Sequence, residues 1–311
     1  MRNRFAEALV RLAAADDRIV LLTGDLGYTV LEGFRDAYPD RFFNAGVAEQ
    51  NMVGMATGLA EAGYVPFVYS IATFASMRPY EFIRNGPVLH DLPVRIVGVG
   101  GGFDYAHNGL THFALEDVAL MRAQPGLAVI VPADADQAEA ALFATADLAG
   151  PAYFRVSKTA AVLPGLGGRF ELGRTAVVLD DDEPDVALVA LGPSAHEAVE
   201  AAGLLAAQGV RPTVVVVASV SPAPTDDLVE QLGRVDLALS IEGHYVNGGV
   251  GSLVAEVIAE NDLDCRLVRC GVREVPRGQV GVQQYLHDLH GLSAHALAQS
   301  ALRALGTGSY P

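Results

Sequence analysis

The chain has 311 residues, 51% hydrophobic and 19% charged, a composition that excludes a disordered, collagen-like or disulfide-stapled protein and suffices for about two domains with a sizeable core. Lys and Arg number 21 against 37 Asp and Glu, and the net charge of −16 makes nucleic acid and anionic membrane poor partners, although a few local cations can still serve one anionic substrate. Cys265 and Cys270 stand apart from any Cys/His cluster, so they read as reduced thiols of a cytoplasmic protein and no metal site is expected. No signal peptide is legible, and no apolar run is long enough to span a membrane.

In chain order, the opening MRNRFAEALVRLAAADD reads as an amphipathic helix broken by charges. Residues 19–24 are a short apolar run that ends at Asp25, and 42–44 a weaker strand. Residues 49–63 carry small and apolar side chains on most faces, which predicts a buried helix with a glycine C-cap. Further strands are expected over 65–70, 94–99, 129–132 and 152–156. Their continuous apolar character suits a parallel sheet buried on both faces. Helical patterns around 78–89, 115–123 and 135–148 separate them.

The rhythm weakens into turn-rich, charged sequence over 166–184, expected to be a linker. It then restarts: strand 186–191, helix 195–208 closed by Gly209, strand 213–219, helix 225–232, strand 237–242, helix 250–260 and a last strand 267–271. The alternation predicts an α/β protein of two doubly wound domains, over 1–165 and 185–311, the first mostly parallel and the second smaller.

Ligands of open α/β sheets bind beyond the carboxyl ends of the strands. The polar residues that follow the apolar runs are Asp25, the segments 44–50, 70–80 and 100–112, and Ser157 with Lys158. Taken singly each reads as a turn or a cap; together they fall at one end of a sheet. Glu49 stands out because it opens an otherwise apolar, small-residue helix. Helix-dipole complementarity would explain it at a few tenths to about 1 kcal/mol. The sharper account is a carboxyl at the edge of the core that shares a proton with a ring nitrogen. The glycine-rich segment 247–251 lacks the Lys-Ser/Thr of a phosphate loop and reads as a helix-entry turn, with Glu242 and His244 beside it as junction residues.

Three segments in order, RFFNAGVAEQNMVGMATGLA, PFVYSIATF and NGLTHFALEDVALMRAQPGLAVIVPAD, together with the later EGHYVNGGVGS, resemble the thiamine-diphosphate enzymes of the transketolase type. The resemblance spans essentially the whole chain but only the family's pyrimidine-binding and C-terminal domains. It implies the C-terminal subunit of a split transketolase, whose diphosphate-binding domain and Mg²⁺ ligands lie on an N-terminal partner subunit. An α2β2 heterotetramer with self-association of this chain is the implied assembly. On Glu49 falls the family's catalytic glutamate, which hydrogen-bonds the aminopyrimidine of the cofactor so that its thiazolium ring can add to a carbonyl. The aromatic pocket falls on Phe74 and Tyr80, with Met77 where a third aromatic is common, and Asp25 ends the family's first strand. His112 matches the histidine that faces the reacting carbon.

Departures from the family mark the substrate end. The stretch before His112 carries His107 and Asn108 where the family has acids, and Gly100 stands where a phosphate-binding histidine is common. A phosphate-binding arginine falls on Lys158, which lacks bidentate geometry, and another falls on Arg2. Asp104 and His107 are the polar candidates of a reshaped substrate loop. These changes point away from ordinary sugar-phosphate exchange toward a modified or specialised sugar. The other readings are the beta subunit of a 2-oxo acid dehydrogenase first component, a deoxyxylulose-phosphate-synthase-like condensing enzyme and a catalytically degenerate scaffolding subunit.

Overall fold

A computed structural model describes residues 1–306, so the last five residues of the expected second domain lie outside the described residues. The first half runs α1 (Arg2–Ala15), β1 (Ile19–Thr23), α2 (Glu32–Ala37), β2 (Phe42–Asn44), α3 (Glu49–Glu61), β3 (Val65–Ile71), α4 (Ala72–Met77), α5 (Tyr80–Ile83), β4 (Arg95–Val99), α6 (Asp117–Arg122), β5 (Ala128–Ile130), α7 (Ala135–Ala144) and β6 (Ala152–Val156). The second half runs β7 (Thr175–Leu179), β8 (Val186–Leu191), α8 (Ala195–Ala206), β9 (Pro212–Val217), β10 (Ser219–Ser221), α9 (Thr225–Leu232), β11 (Leu237–Tyr245), α10 (Val250–Glu260), β12 (Arg266–Val272), α11 (Gln283–Leu289) and α12 (Ala294–Leu305).

Two mostly parallel sheets with helices on both faces make two α/β layers. The first is ordered β10-β5-β6-β4-β3-β1-β2 and the second β12-β11-β8-β9-β7. Apolar continuity explains the strands: every residue of β1, β4, β6, β8 and β9 is buried. A strand of this kind needs cover on both faces, which the βαβ crossovers supply. On α1 the residues Phe5, Leu9 and Leu12 recur at three- and four-residue spacing and bury one face. Each such Leu or Phe contributes about 1.5–3 kcal/mol of burial.

Several features differ from the sequence expectation. The stretch read as linker contains β7, which pairs antiparallel with β9 and forms the edge of the second sheet. Its apolar stretch is only four residues, 176–179, closely flanked by glycine and charged residues, and only Ala176 of the strand is buried, so it did not stand out from the turn-rich sequence. The expected strand 213–219 divides, and its end, β10, crosses over to pair antiparallel with β5 of the first sheet. Helices α2, α4, α11 and α12 are additional. The helix expected to be buried, α3, buries Glu49, Met52, Val53, Ala56 and Ala60 but leaves Gly54, Met55 and Gly58 exposed. Its glycine stop is as expected: Gly63 has φ +93° and its N–H donates to Ala60 O.

In the first sheet β1 and β3 are neighbours; the chain leaves β1 toward β2 on one side and leaves β3 toward β4 on the other, so the carboxyl ends part between β1 and β3. Helix α3 joins β2 to β3 and begins at that parting. This is the place where open α/β sheets hold ligands.

Candidate active site

Glu49 is the first residue of α3 and is only 2% exposed. Its Oε1 accepts a hydrogen bond from Ser70 Oγ, near the end of β3, at 3.2 Å. Arg78 Nη1 donates to both carboxylate oxygens, at 2.8 and 3.0 Å. Gly24, which follows β1, lies alongside, where a Cβ would be in ordinary contact with Glu49 Oε1 at 3.6 Å. The Arg78 guanidinium also lies 4.0 Å from the centre of the Phe74 ring. Sequence reasoning missed Arg78. The available signal was a cation between Phe74 and Tyr80, in a stretch read for its aromatic side chains.

Phe74 packs edge-on against His112, with ring centres 5.3 Å apart. His112 Nδ1 lies 3.0 Å from Thr111 Oγ1. Glu49, Arg78, Phe74 and His112 therefore form one connected group. Other expected residues stand differently. The Tyr80 phenol donates to Leu120 O at 2.8 Å and accepts from Gln124 Nε2 at 2.5 Å, so its polar end is anchored against α6. Met77 is 45% exposed at the end of α4. Asp25, at φ +58°, receives its own hydrogen bonds from Asn44 Nδ2 at 2.9 Å and Tyr28 OH at 3.1 Å, which tie the ends of β1 and β2 together.

Tyr105, also unforeseen, builds the distal end. Gly100 has φ +81°, and a Cβ there would overlap the Tyr105 ring, so the ring occupies the space of the missing side chain. Lys158 Nζ sits 4.3 Å over that ring. Burial pushes the Tyr105 phenol up, with Arg2 partly opposing. The ring centres of Tyr105 and His112 are 6.2 Å apart, which links this end to the Glu49 group. Asp104 is engaged within the protein: its carboxylate accepts from Lys158 N at 2.8 Å and from Gln283 Nε2 of α11 at 3.2 Å. His107 and Asn108 lie exposed on a 3₁₀ turn over Ala106–Asn108.

A buried polar network joins the two layers behind this site. Arg155 Nε lies 3.0 Å from Asp117 Oδ2, which also accepts from Tyr153 OH at 2.7 Å. Arg155 Nη2 donates to Ala114 O and to Gly243 O of the second layer. Glu242 accepts from the N–H groups of Val250 and Gly251 at the start of α10. Burial pushes its carboxyl up to about 7, against those hydrogen bonds. Fully buried His244 accepts from Ala119 N at 3.3 Å, and burial lowers its pKa. Cys265 and Cys270 are both free and buried, their thiols pushed up to about 11 by desolvation. Among the described residues, no cluster of three or more His, Cys, Asp or Glu side chains is placed to hold a metal ion, and no helix is long and apolar enough to cross a membrane.

Residues 1–162 match the family described as transketolase, pyrimidine binding domain, and 175–297 match transketolase, C-terminal domain. The chain is 34% identical over 309 residues to a putative transketolase C-terminal section of Methanocaldococcus jannaschii, covering 98% of this chain and 96% of that protein. It is also 34% identical to the 6-deoxy-6-sulfo-D-fructose transketolase subunit SqwH of Clostridium sp. (strain MSTE9), covering 97% and 93%. Among solved structures it is similar to a split gene transketolase described as an inactive beta4 tetramer. The TM-score is 0.89, with 37% identity and 99% of each chain covered.

Proposed function

The chain belongs to the transketolase family, and we propose that it is the C-terminal subunit of a two-chain, thiamine-diphosphate-dependent transketolase that moves a two-carbon ketol unit from a ketose-type donor to an aldehyde. One observation carries the reading: a carboxylate that opens a helix, only 2% exposed, at the parting of the sheet, with an aromatic ring and an imidazole beside it. That donor set fits an aminopyrimidine, a flat heterocycle with a basic ring nitrogen. Glu49 would hold the ring nitrogen and Phe74 its face, while Tyr80, Met77 and Asp25 frame the surroundings. When bound, the cofactor supplies the electron sink for carbanion chemistry. Glu49 holds and moves a proton at the ring nitrogen. His112 donates a hydrogen bond to the substrate oxygen on which charge develops.

At the substrate end Arg2 and Lys158 supply cations for an anionic group, with His107, Asn108 and Asp104 on the adjoining loop. Gly100 and Asn108, in place of a histidine and an acid, favour a modified sugar. The Clostridium relative is named for a sulfonated ketose, which supports a substrate outside ordinary sugar phosphates. Names of relatives as subunits and sections support an N-terminal partner that carries the diphosphate and Mg²⁺ ligands. The beta4 tetramer supports self-association within an α2β2 assembly, which we place in the cytoplasm.

Calorimetric titration of thiamine diphosphate with Mg²⁺ tests this reading. Binding is expected only when this chain is mixed with its diphosphate-binding partner, and a screen of phosphorylated and sulfonated ketoses with aldehyde acceptors then identifies the reaction. Tight binding to this chain alone would overturn the half-site.

A further inference from the structure

Arg78 has no part in the chemistry above, yet it occupies the places that chemistry needs. Its guanidinium contacts both oxygens of Glu49 and lies 4.0 Å from the centre of the Phe74 ring. An aminopyrimidine held by Glu49 and stacked on Phe74 requires the same carboxylate edge and an aromatic face. The exposures show which partner can move: the Glu49 side chain is 2% exposed and that of Arg78 is 43%. Glu49 is held by the first turn of α3 and by Ser70, whereas Arg78 follows the end of α4 on a long, rotatable stem.

We propose that Arg78 is a displaceable plug of the cofactor half-site: it closes Glu49 and Phe74 in the unloaded chain and swings toward solvent when the aminopyrimidine enters. The inference rests on the assignment of Glu49 to the cofactor. Its logic is competition. A cofactor that binds only the open form has its affinity reduced by the open fraction, so a chain closed nine-tenths of the time binds about tenfold more weakly than one without the plug. The plug also keeps a buried carboxylate paired while the site is empty, which avoids an isolated buried charge. Cofactor loading and release are thereby tied to one side-chain movement on this subunit.

The test uses the chain assembled with its diphosphate-binding partner, titrated with thiamine diphosphate and Mg²⁺ by calorimetry and followed by rapid mixing. Arg78→Met retains an apolar stem beside Phe74 and lacks the charge; Arg78→Lys retains the charge without the flat guanidinium that lies over the Phe74 ring. Arg78→Met is expected to bind about tenfold tighter and to load faster, with Arg78→Lys between it and the wild type. In a Glu49→Gln background the gain from Arg78→Met is expected to vanish, because the ion pair it relieves no longer exists. Equal or weaker binding by Arg78→Met, with normal wild-type binding, overturns the plug and leaves the cofactor reading intact. Absence of binding by the wild type and by Arg78→Met alike overturns the cofactor reading and the plug with it. Thermal scans of each variant verify the fold, which is expected to be retained with a lowered unfolding temperature in Arg78→Met, because the buried Glu49 carboxylate loses its partner.

Discussion

Glu49 was legible because its surroundings were wrong for a charge: Met52, Val53, Ala56 and Ala60 continue its face of the helix into the core. A carboxylate at the head of such a stripe is either a dipole ornament or a functional group, and its burial with only Ser70 and Arg78 as side-chain hydrogen-bond partners among the described residues favours the second. Glu49→Gln keeps the shape and the contact to Ser70 while removing the proton chemistry. In the assembled enzyme we expect ketol transfer to fall by about 10²–10⁴-fold. The unfolding temperature and partner binding should remain near wild type, because the lost ion pair is half-exposed and worth about 1 kcal/mol or less. Steady-state rates beside a thermal scan check this; an unaffected rate would remove Glu49 from catalysis. Arg78 and Tyr105 escaped sequence reading for a different reason. Their roles come from which neighbours they meet, Glu49 across 29 residues and Lys158 across 53, and spacing along the chain carries no trace of that.

Helix α10 shows how an element can carry a pH response. Its first N–H groups are closed by Glu242 from β11, a carboxylate whose folded pKa is raised from 4.5 to about 7. A raised acid binds more protons in the folded state than in the unfolded state between those values, so its contribution to stability is lost as pH rises from about 4.5 to about 7. His244, lowered below 6.5 by burial, works in the opposite sense: it costs stability in acid, and that cost disappears as pH rises toward 6.5. The two slopes oppose one another in the wild type. Glu242→Gln keeps one acceptor oxygen for α10, loses the acceptor for the other N–H at a cost that does not vary with pH, and removes the titrating carboxyl. The unfolding temperature of this variant is expected to climb with pH between 5 and 6.5 more steeply than that of the wild type. Parallel pH–melting curves for the two proteins would exclude Glu242 as the titrating group.

The rhythm of strand and helix was readable because β1, β3, β4, β6, β8 and β9 are buried nearly throughout, and such strands write themselves as apolar runs. What escaped was the joining of the two layers. A turn-rich stretch that reads as a linker contains edge strand β7, and β10 leaves its own layer to pair with β5, where Val131 N also donates to Ala218 O at 2.7 Å. Edge pairing is decided by what lies alongside and not by hydrophobicity, so single-sequence patterns are silent on it. Arg155 and Asp117 add a buried ion pair at the same seam, with Arg155 also donating to Gly243 O of the second layer. Two layers that share a sheet edge and a buried charge pair should unfold together. Calorimetry of this chain is expected to give one endotherm with matching calorimetric and van't Hoff enthalpies. Asp117→Ala strands the Arg155 guanidinium and the Tyr153 hydroxyl, at a cost of about 3–5 kcal/mol. For a cooperative unit this large, each kcal/mol is worth about 2–4 °C, so the single transition should move down by about 6 °C or more without splitting. Two separate endotherms in the wild type would show that the layers fold independently and that the shared edge does not couple them. The coupling bears on the proposed function because Gln283 of α11 holds Asp104, and Asp104 holds Lys158 at the end of the site proposed to take the substrate.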